Sequence, residues 1–369
     1  MQHGTIFSNS TPEPDTIRMS NAPEVLTRIP EIPFMKKIGF LSFGHWSNGY
    51  GSQVRTAQDS LKQAVELAVA AEEIGIDGAF FRVHHFANQQ MSPFPLLAAI
   101  AARTSRIEMG TGVIDMRYET PLYMAEEAAA TDLLADGRLQ LGISRGSPET
   151  VDRGYRFFGH IPEDGQDADM ARAHTTEFLR AISGERFAPQ NPQQSRNPGL
   201  LGITPQSPTL RERIWWGAGS RDTAIWAAQQ GMQLMSSTLL LEEKGIPFDQ
   251  LQLDQIQGFL ETWKEMGWAH APQVSVSRSI MPIVDDLTRA YFGTDRNEDT
   301  VGIIDGAISR FGRTYAAEPE VLVEQLRNDA AIAASDMLLV TVPNQLGVEF
   351  NARQLAVIDQ IGKELGWRD

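Results

Sequence analysis

Cysteine is missing from this chain, which removes disulfides, thiolate metal sites and a cysteine nucleophile together. The same absence fits a cytoplasmic protein. Long hydrophobic runs are missing too: none reaches the roughly 18 apolar residues that a membrane span needs. Positive charge is scarce, with 32 Lys and Arg against 47 Asp and Glu and a net charge of −15. Such a surface repels phosphate backbones and anionic lipid, so nucleic acid and membranes are excluded as partners. Residues 1–34 contain "TPEPD" and further prolines but no apolar stretch of signal-peptide type. They read as an irregular N-terminal arm, with the fold starting at Met35.

What is present is enough for a large core: 42% of 369 residues are hydrophobic. That length allows two ordinary domains or one large α/β domain. From Lys36 onward, short β-type runs alternate with helical patterns. "KIGFLSF" precedes a helix whose Leu61, Ala64, Val65, Ala68 and Ala71 recur at helical spacing, with Gly75 as its stop. "GAFFRV", "RIEMGTGVI", "RLQLGIS", "RIWWGAG", "MQLMSS", "QVSVSRSIMPIV" and "DMLLVTV" read as the following strands. Helices fall between them, two opening on Ser-Pro or Thr-Pro at Ser92 and Thr120. Residues Gly184–Glu212, with five prolines, interrupt the rhythm after the fourth helix as an insertion. Two or three helical stretches are expected over Asp285–Ala334. Eight alternating units imply parallel strands closed into a single (β/α)8 TIM barrel over residues 35–369. "GTGVID" lacks the later glycine and the helix start of a dinucleotide fingerprint.

In such a barrel the chemistry lies where strands break into loops at their C-terminal ends. Those rims carry His, Arg, Ser, Thr and Gly but few carboxylates. "GAGSRDT" (Gly217–Thr223) is a strand, a Gly-rich turn and a helix start, with free N–H groups that favour an anion. Ser220 can cap the helix or help hold a phosphate, and the residues alone leave both roles open. In "RVHH", alternation places Arg82 and His84 on one face and Val83 and His85 on the other. One histidine therefore faces the mouth and suits proton transfer, and the other packs. Adjacent residues point apart and nothing nearby completes a ligand set, so no metal is expected. Arg82 needs a partner, for which Glu108 and Asp115 are the candidates.

"GIDGAFFRVHHF", "LLAAIAARTSRIEMGTGVI", "PLYMAEEAAATDLLADGRLQLGISRG" and "IWWGAGSRDTAIWAAQQGMQLMSS" together resemble the bacterial luciferase-like flavin monooxygenases. So does "EPEVLVEQLRNDAAIAASDMLLVT", and the resemblance runs from about Met35 to the C-terminus. It implies a barrel that takes reduced FMN from a separate flavin reductase. With O₂ such enzymes form a flavin C4a-hydroperoxide and oxygenate a small organic substrate. By this resemblance His84 is the catalytic histidine. Gly112 and Val113 lie against the flavin ring, joined by a cis peptide, and Ser144 and Arg145 line it. Arg172, Gly219, Ser220 and Thr223 hold the phosphate. The substrate pocket then falls to His45, Trp46, Tyr50, Met116 and Tyr118. Val83 stands where the family often has Glu, and Arg82 where it is usually apolar. The same scaffold also serves F420-dependent dehydrogenases and non-catalytic partner subunits, and the resemblance implies a homo- or heterodimer.

Overall fold

The computed structural model describes residues 35–146, 151–242, 244–293, 298–304 and 307–369; the N-terminal arm expected over 1–34 lies outside them. Eight parallel strands form the barrel: β1 (Lys37–Ser42), β2 (Gly78–Phe81), β3 (Glu108–Thr111, resumed at Ile114–Asp115) and β4 (Leu139–Ser144) make one half. The other half is β5 (Ile214–Ala218), β6 (Gln233–Ser236), β7 (Val274–Pro282) and β8 (Met337–Val342). The ring closes where β1 pairs with β8, Lys37 opposite Met337 and Ser42 opposite Val342.

Among the described residues ten helices cover the outside: α1 (Ala57–Ile74), α2 (Pro93–Ala101), α3 (Pro121–Leu134), α4 (Asp167–Ile182) and α5 (Arg221–Gln229) come first. They are followed by α6 (Phe248–Met266), α7 (Asp286–Phe292), α8 (Pro319–Arg327), α9 (Ala330–Ala333) and α10 (Val348–Glu364). Local chemistry sets their ends. Thr56 and Asp59 form a capping box on α1, and Gly75 closes it in the left-handed region. Proline sits in the first turn of α2, α3 and α8.

The main core fills the space between barrel and helices. A smaller cluster plugs the barrel itself: Leu41, Phe80, Trp215, Met235, Met337 and Leu339. Burial of each such side chain is worth about 1.5–3 kcal/mol. At Gly110 and Gly142, β3 and β4 approach closely. A Cβ on Gly110 would lie 1.9 Å from the Gln140 carbonyl oxygen, and one on Gly142 would lie 2.1 Å from that of Thr111. Only glycine fits there.

Two segments depart from the sequence reading. Over 285–334 the chain is not purely helical. Thr300–Ile304 pairs antiparallel with Ala307–Phe311, and Thr314–Ala317 runs parallel beside β7. The β-branched run at Thr300, Val301, Ile303 and Ile304 is the signal for strand that a helical reading overlooks. Further, β2 ends at Phe81, two residues before the expected end, so strand alternation does not carry as far as His84. The Pro-rich insertion holds a two-stranded ribbon, Ala188–Pro189 with Leu200–Leu201.

Within β7, Arg278 is only 2% exposed. Its Nε and Nη2 donate to the two carboxylate oxygens of Asp329 at 2.8 and 2.9 Å. Asp329 also accepts the Tyr315 hydroxyl at 2.6 Å and the Ile332 N–H at 2.9 Å, so one carboxylate ties β7 to the start of α9. Asp329→Ala would leave Arg278 buried without its counter-charge. A loss of about 3–5 kcal/mol is expected, read as a lower urea midpoint; an unchanged midpoint would refute the tie.

Candidate active site at the barrel mouth

The floor of the mouth is the barrel plug, with Phe43 and Val113 packed on it. Beside it β3 carries one extra residue. Gly110 pairs with Gln140, yet Ile114 pairs with Ile143, so four steps along β3 match three along β4. The bulge contains the Gly112–Val113 peptide, which is cis as the resemblance implies. Val113 Cγ1 and Ser144 Cβ lie 3.1 and 3.4 Å from where a Gly217 Cβ would be. Val113, Ser144 and Gly217 thus form one shelf across β3, β4 and β5. Ser144 is buried and its hydroxyl accepts the Gly146 N–H at 2.9 Å, whereas Arg145 is exposed.

The loops after β1 and β2 are laced together. Trp46 N–H donates to the Asn88 carbonyl at 3.1 Å, and His84 N–H to that of Gln90 at 2.9 Å. His45 is held through its backbone by Asn344, and its ring stacks on Phe43 at 5.8 Å. The Arg82 guanidinium sits 5.0 Å from the Phe43 ring. The two carboxylates considered for Arg82 are engaged: Glu108 accepts from Lys37 at 2.7 Å, and Asp115 holds Arg117 at 2.6 Å. Burial, and then the Arg82 charge, push the His84 imidazole down to about 4. Burial alone pushes His85 to about 4. His45 is lowered by burial and then by Arg82. All three rings are neutral at physiological pH.

His85 stacks on Tyr118 at 4.2 Å and meets Phe158 edge-on at 5.0 Å. Phe86 and Phe157 extend this aromatic cluster toward solvent. Behind it, Arg117 joins Asp115 to Asp167, the latter at 2.9 Å. Glu119 lies next to this pair, and burial, then Glu127 and Asp115, push its carboxyl up to about 7.

At the opposite side α5 begins with a capping box. Ser220 Oγ accepts the Thr223 N–H at 3.4 Å, and Thr223 Oγ1 accepts the Ser220 N–H at 3.2 Å. The Arg221 N–H donates to a carboxylate, Glu242 Oε1, at 3.3 Å. Gly219 accepts Leu241 N–H at 2.8 Å. Arg172, exposed on α4, lies 5.3 Å from the Trp226 ring of α5.

The residues read from sequence therefore fall into three groups. Val113, Ser144, His45, Trp46 and His84 surround the mouth, with Gly112 beneath them, where a Cβ would meet Leu41 at 2.9 Å. Gly219, Ser220, Thr223 and Arg172 gather at α5. Tyr50 is fully exposed, and Met116 and Tyr118 are buried, Met116 in the main core. Sequence reasoning missed Glu242, Arg117, Glu119 and the "YRFF" cluster at Tyr155–Phe158. The aromatic run was the one visible signal, and the others are brought in by loops with no periodicity. Two clefts, of about 440 and 530 Å³, are lined by other residues, one beside Arg278 and Arg313 and the other at the start of α10.

The folded-state values of His84 and His85 lie below the unfolded value of about 6.5. The unfolded chain thus binds the extra protons, and stability drains as pH falls from about 6.5 toward 4. NMR titration should place both ring midpoints near about 4, with Arg82→Met raising that of His84 and not that of His85. A His84 midpoint indifferent to Arg82 would contradict the assignment. Glu119 has the opposite sign. Its raised value makes folding favourable at low pH and less so as pH climbs through about 7. Glu119→Gln should therefore raise the melting temperature at pH 8 and change it little at pH 4.

Comparisons with known proteins bear on the family and the fold. The luciferase-like monooxygenase family model matches residues 35–246. The oxygenase component of the flavin-dependent trigonelline monooxygenase of Acinetobacter baylyi is 28% identical over 207 residues, 53% of each chain. The chain spans about half the length of the curated relatives it matches. Among solved structures, the oxygenating constituent of Pseudomonas putida 3,6-diketocamphane monooxygenase, in complex with FMN, superposes with a TM-score of 0.61 at 15% identity. That superposition covers 88% of this chain and 97% of the other. An F420-dependent secondary alcohol dehydrogenase gives 0.57 at 16% identity, over 91% of this chain and all of the other. These structural likenesses establish a shared barrel. The matched family model covers more than half of the chain, and the chain belongs to the luciferase-like monooxygenase family.

Proposed function

We propose that the chain is the oxygenase of a two-component monooxygenase that uses FMN reduced by a separate flavin reductase. The observation that carries this reading is the pairing of two features on one barrel face. A shelf of Val113, Ser144 and Gly217 lies across β3, β4 and β5, and the start of α5, which follows β5, holds an anionic oxygen on a backbone N–H. The residues fit a flavin mononucleotide on two counts. The Glu242 carboxylate stands in for an anion at α5, and Trp46 Nε1 and His85 Nε2 are buried without a hydrogen-bond partner.

Ser220, Thr223 and the α5 N–H groups would bind the phosphate, with Arg172 supplying a cation. Val113 and Ser144 would support the ring. When bound, the reduced flavin supplies the two electrons with which O₂ gives one oxygen atom to the substrate and one to water. A neutral His84 carries a proton on one ring nitrogen and a lone pair on the other. It can therefore give or take a proton beside the ring, while Arg82 disfavours the imidazolium. His45 and Trp46 would border the substrate. The FMN complex of the diketocamphane enzyme and the role of the Acinetobacter relative as an oxygenase component support this cofactor and partner.

A panel of small organic compounds, incubated with the protein, FMN, NADH, a flavin reductase and ¹⁸O₂, should yield a product carrying one ¹⁸O atom. With that substrate, His84→Ala should lower turnover by about 10²–10⁴ while leaving the FMN dissociation constant unchanged. Binding of F420 without binding of FMN, and without ¹⁸O transfer, would overturn the reading in favour of a dehydrogenase. Arg172→Ala should weaken FMN by about ten- to hundredfold and leave riboflavin unaffected; equal effects on both would remove Arg172 from the phosphate.

A further inference from the structure

Where α5 begins, an acceptor arrives from outside the helix, on an N–H that the capping box leaves open. The cap is already supplied by Ser220 and Thr223. Glu242 nevertheless reaches the same turn and takes the Arg221 N–H at 3.3 Å. The chain just before it is tied down at two points. Leu239 and Leu240 pair with Phe311 and Arg310, and Leu241 N–H donates to the Gly219 carbonyl at 2.8 Å. The Glu242 side chain is 22% exposed, so most of the carboxylate is out of water. Its bond to Arg221 is longer than the usual ~2.7–3.2 Å, as expected of a contact that breaks readily.

A second position for the carboxylate lies close by. Lys244 Nζ is 3.9 Å from Glu242 Oε2 and 2.9 Å from Asp254 Oδ2, and Asp254 in turn is 3.5 Å from Arg221 Nε. A small swing away from α5 exchanges a helix N–H for an ammonium group.

We propose that Glu242 is a specificity-determining residue that competes with the flavin phosphate for the N-terminus of α5 and turns toward Lys244 when phosphate enters. This rests on the reading of that N-terminus as the phosphate site. The reason is electrostatic. A helix N-terminus attracts one anion well, and two anions there repel each other. Phosphate must displace a resident carboxylate, so it adds less to flavin affinity than an open N-terminus would allow. A flavin held this way exchanges readily with a reductase. A carboxylate that served only as an extra cap would make the same hydrogen bond. The two roles diverge when its charge is removed.

The test is a fluorescence-quench titration of the full chain and of Glu242→Gln and Glu242→Ala with FMN and with riboflavin, which lacks the phosphate. Both variants should widen the preference for FMN over riboflavin by roughly three- to thirtyfold, with the riboflavin constant unchanged. A lower melting temperature with no change in preference would make Glu242 a cap and overturn the proposal. Weaker FMN binding in the variants would make it a cofactor ligand and overturn it equally. Failure of the unaltered chain and both variants to bind either flavin would instead reject the flavin reading on which the proposal stands.

Discussion

The backbone contact between β3 and β4 is the constraint on which the rest of the mouth depends. Gly110 and Gly142 let the two strands approach so closely that a side chain on either would strike a carbonyl oxygen. With that contact made, the extra residue of β3 has nowhere to go but into the bulge above it. The bulge turns Val113 toward Ser144 and Gly217, and three strands far apart in sequence share one shelf. Below the shelf the apolar plug keeps water out of the barrel and sets the depth of the floor. The helices contribute indirectly, by burying the outer faces of strands that could not otherwise be apolar on both sides.

Charge is distributed unevenly over this face. At the β1–β2 side the neighbouring cation is Arg82, and burial holds the histidines neutral. At the β5 side a helix N-terminus already holds an anionic oxygen. The chain is strongly acidic as a whole, so an anionic ligand reaching this mouth meets favourable charge only locally. Near α5 the charges are arranged as a small exchangeable network of Glu242, Lys244, Asp254 and Arg221 rather than as an open cationic patch.

Much of the architecture is legible in the amino-acid order because it rests on local rules. The capping box at Thr56, the prolines opening α2 and α3, and the buried run of β4 each specify an element from neighbouring residues alone. Eight such units in alternation leave few topologies other than a barrel. The helical reading of 285–334 failed where that logic is weakest. Short β-branched runs are ambiguous until a partner strand is known, and here the partners are another part of the same segment and the loop after β6. The burial of the residues expected to border the substrate was not legible, for a similar reason. Tyr50 is exposed while Met116 and Tyr118 are buried, because loop paths set their exposure and loops follow no period.

The sequence by itself determined the class of fold, the face on which chemistry can occur, and the candidate groups at α5 and around His84. These follow from periodicity, from turn chemistry and from a resemblance carried by contiguous motifs. Only the tertiary structure decided how those groups are charged and what competes with them. Whether an imidazole titrates near neutrality depends on its burial and on Arg82, and whether a helix N-terminus is free depends on a carboxylate 21 residues away in the chain. Desolvation and Coulomb interactions act through space, so their outcome is set by which segments the barrel brings side by side.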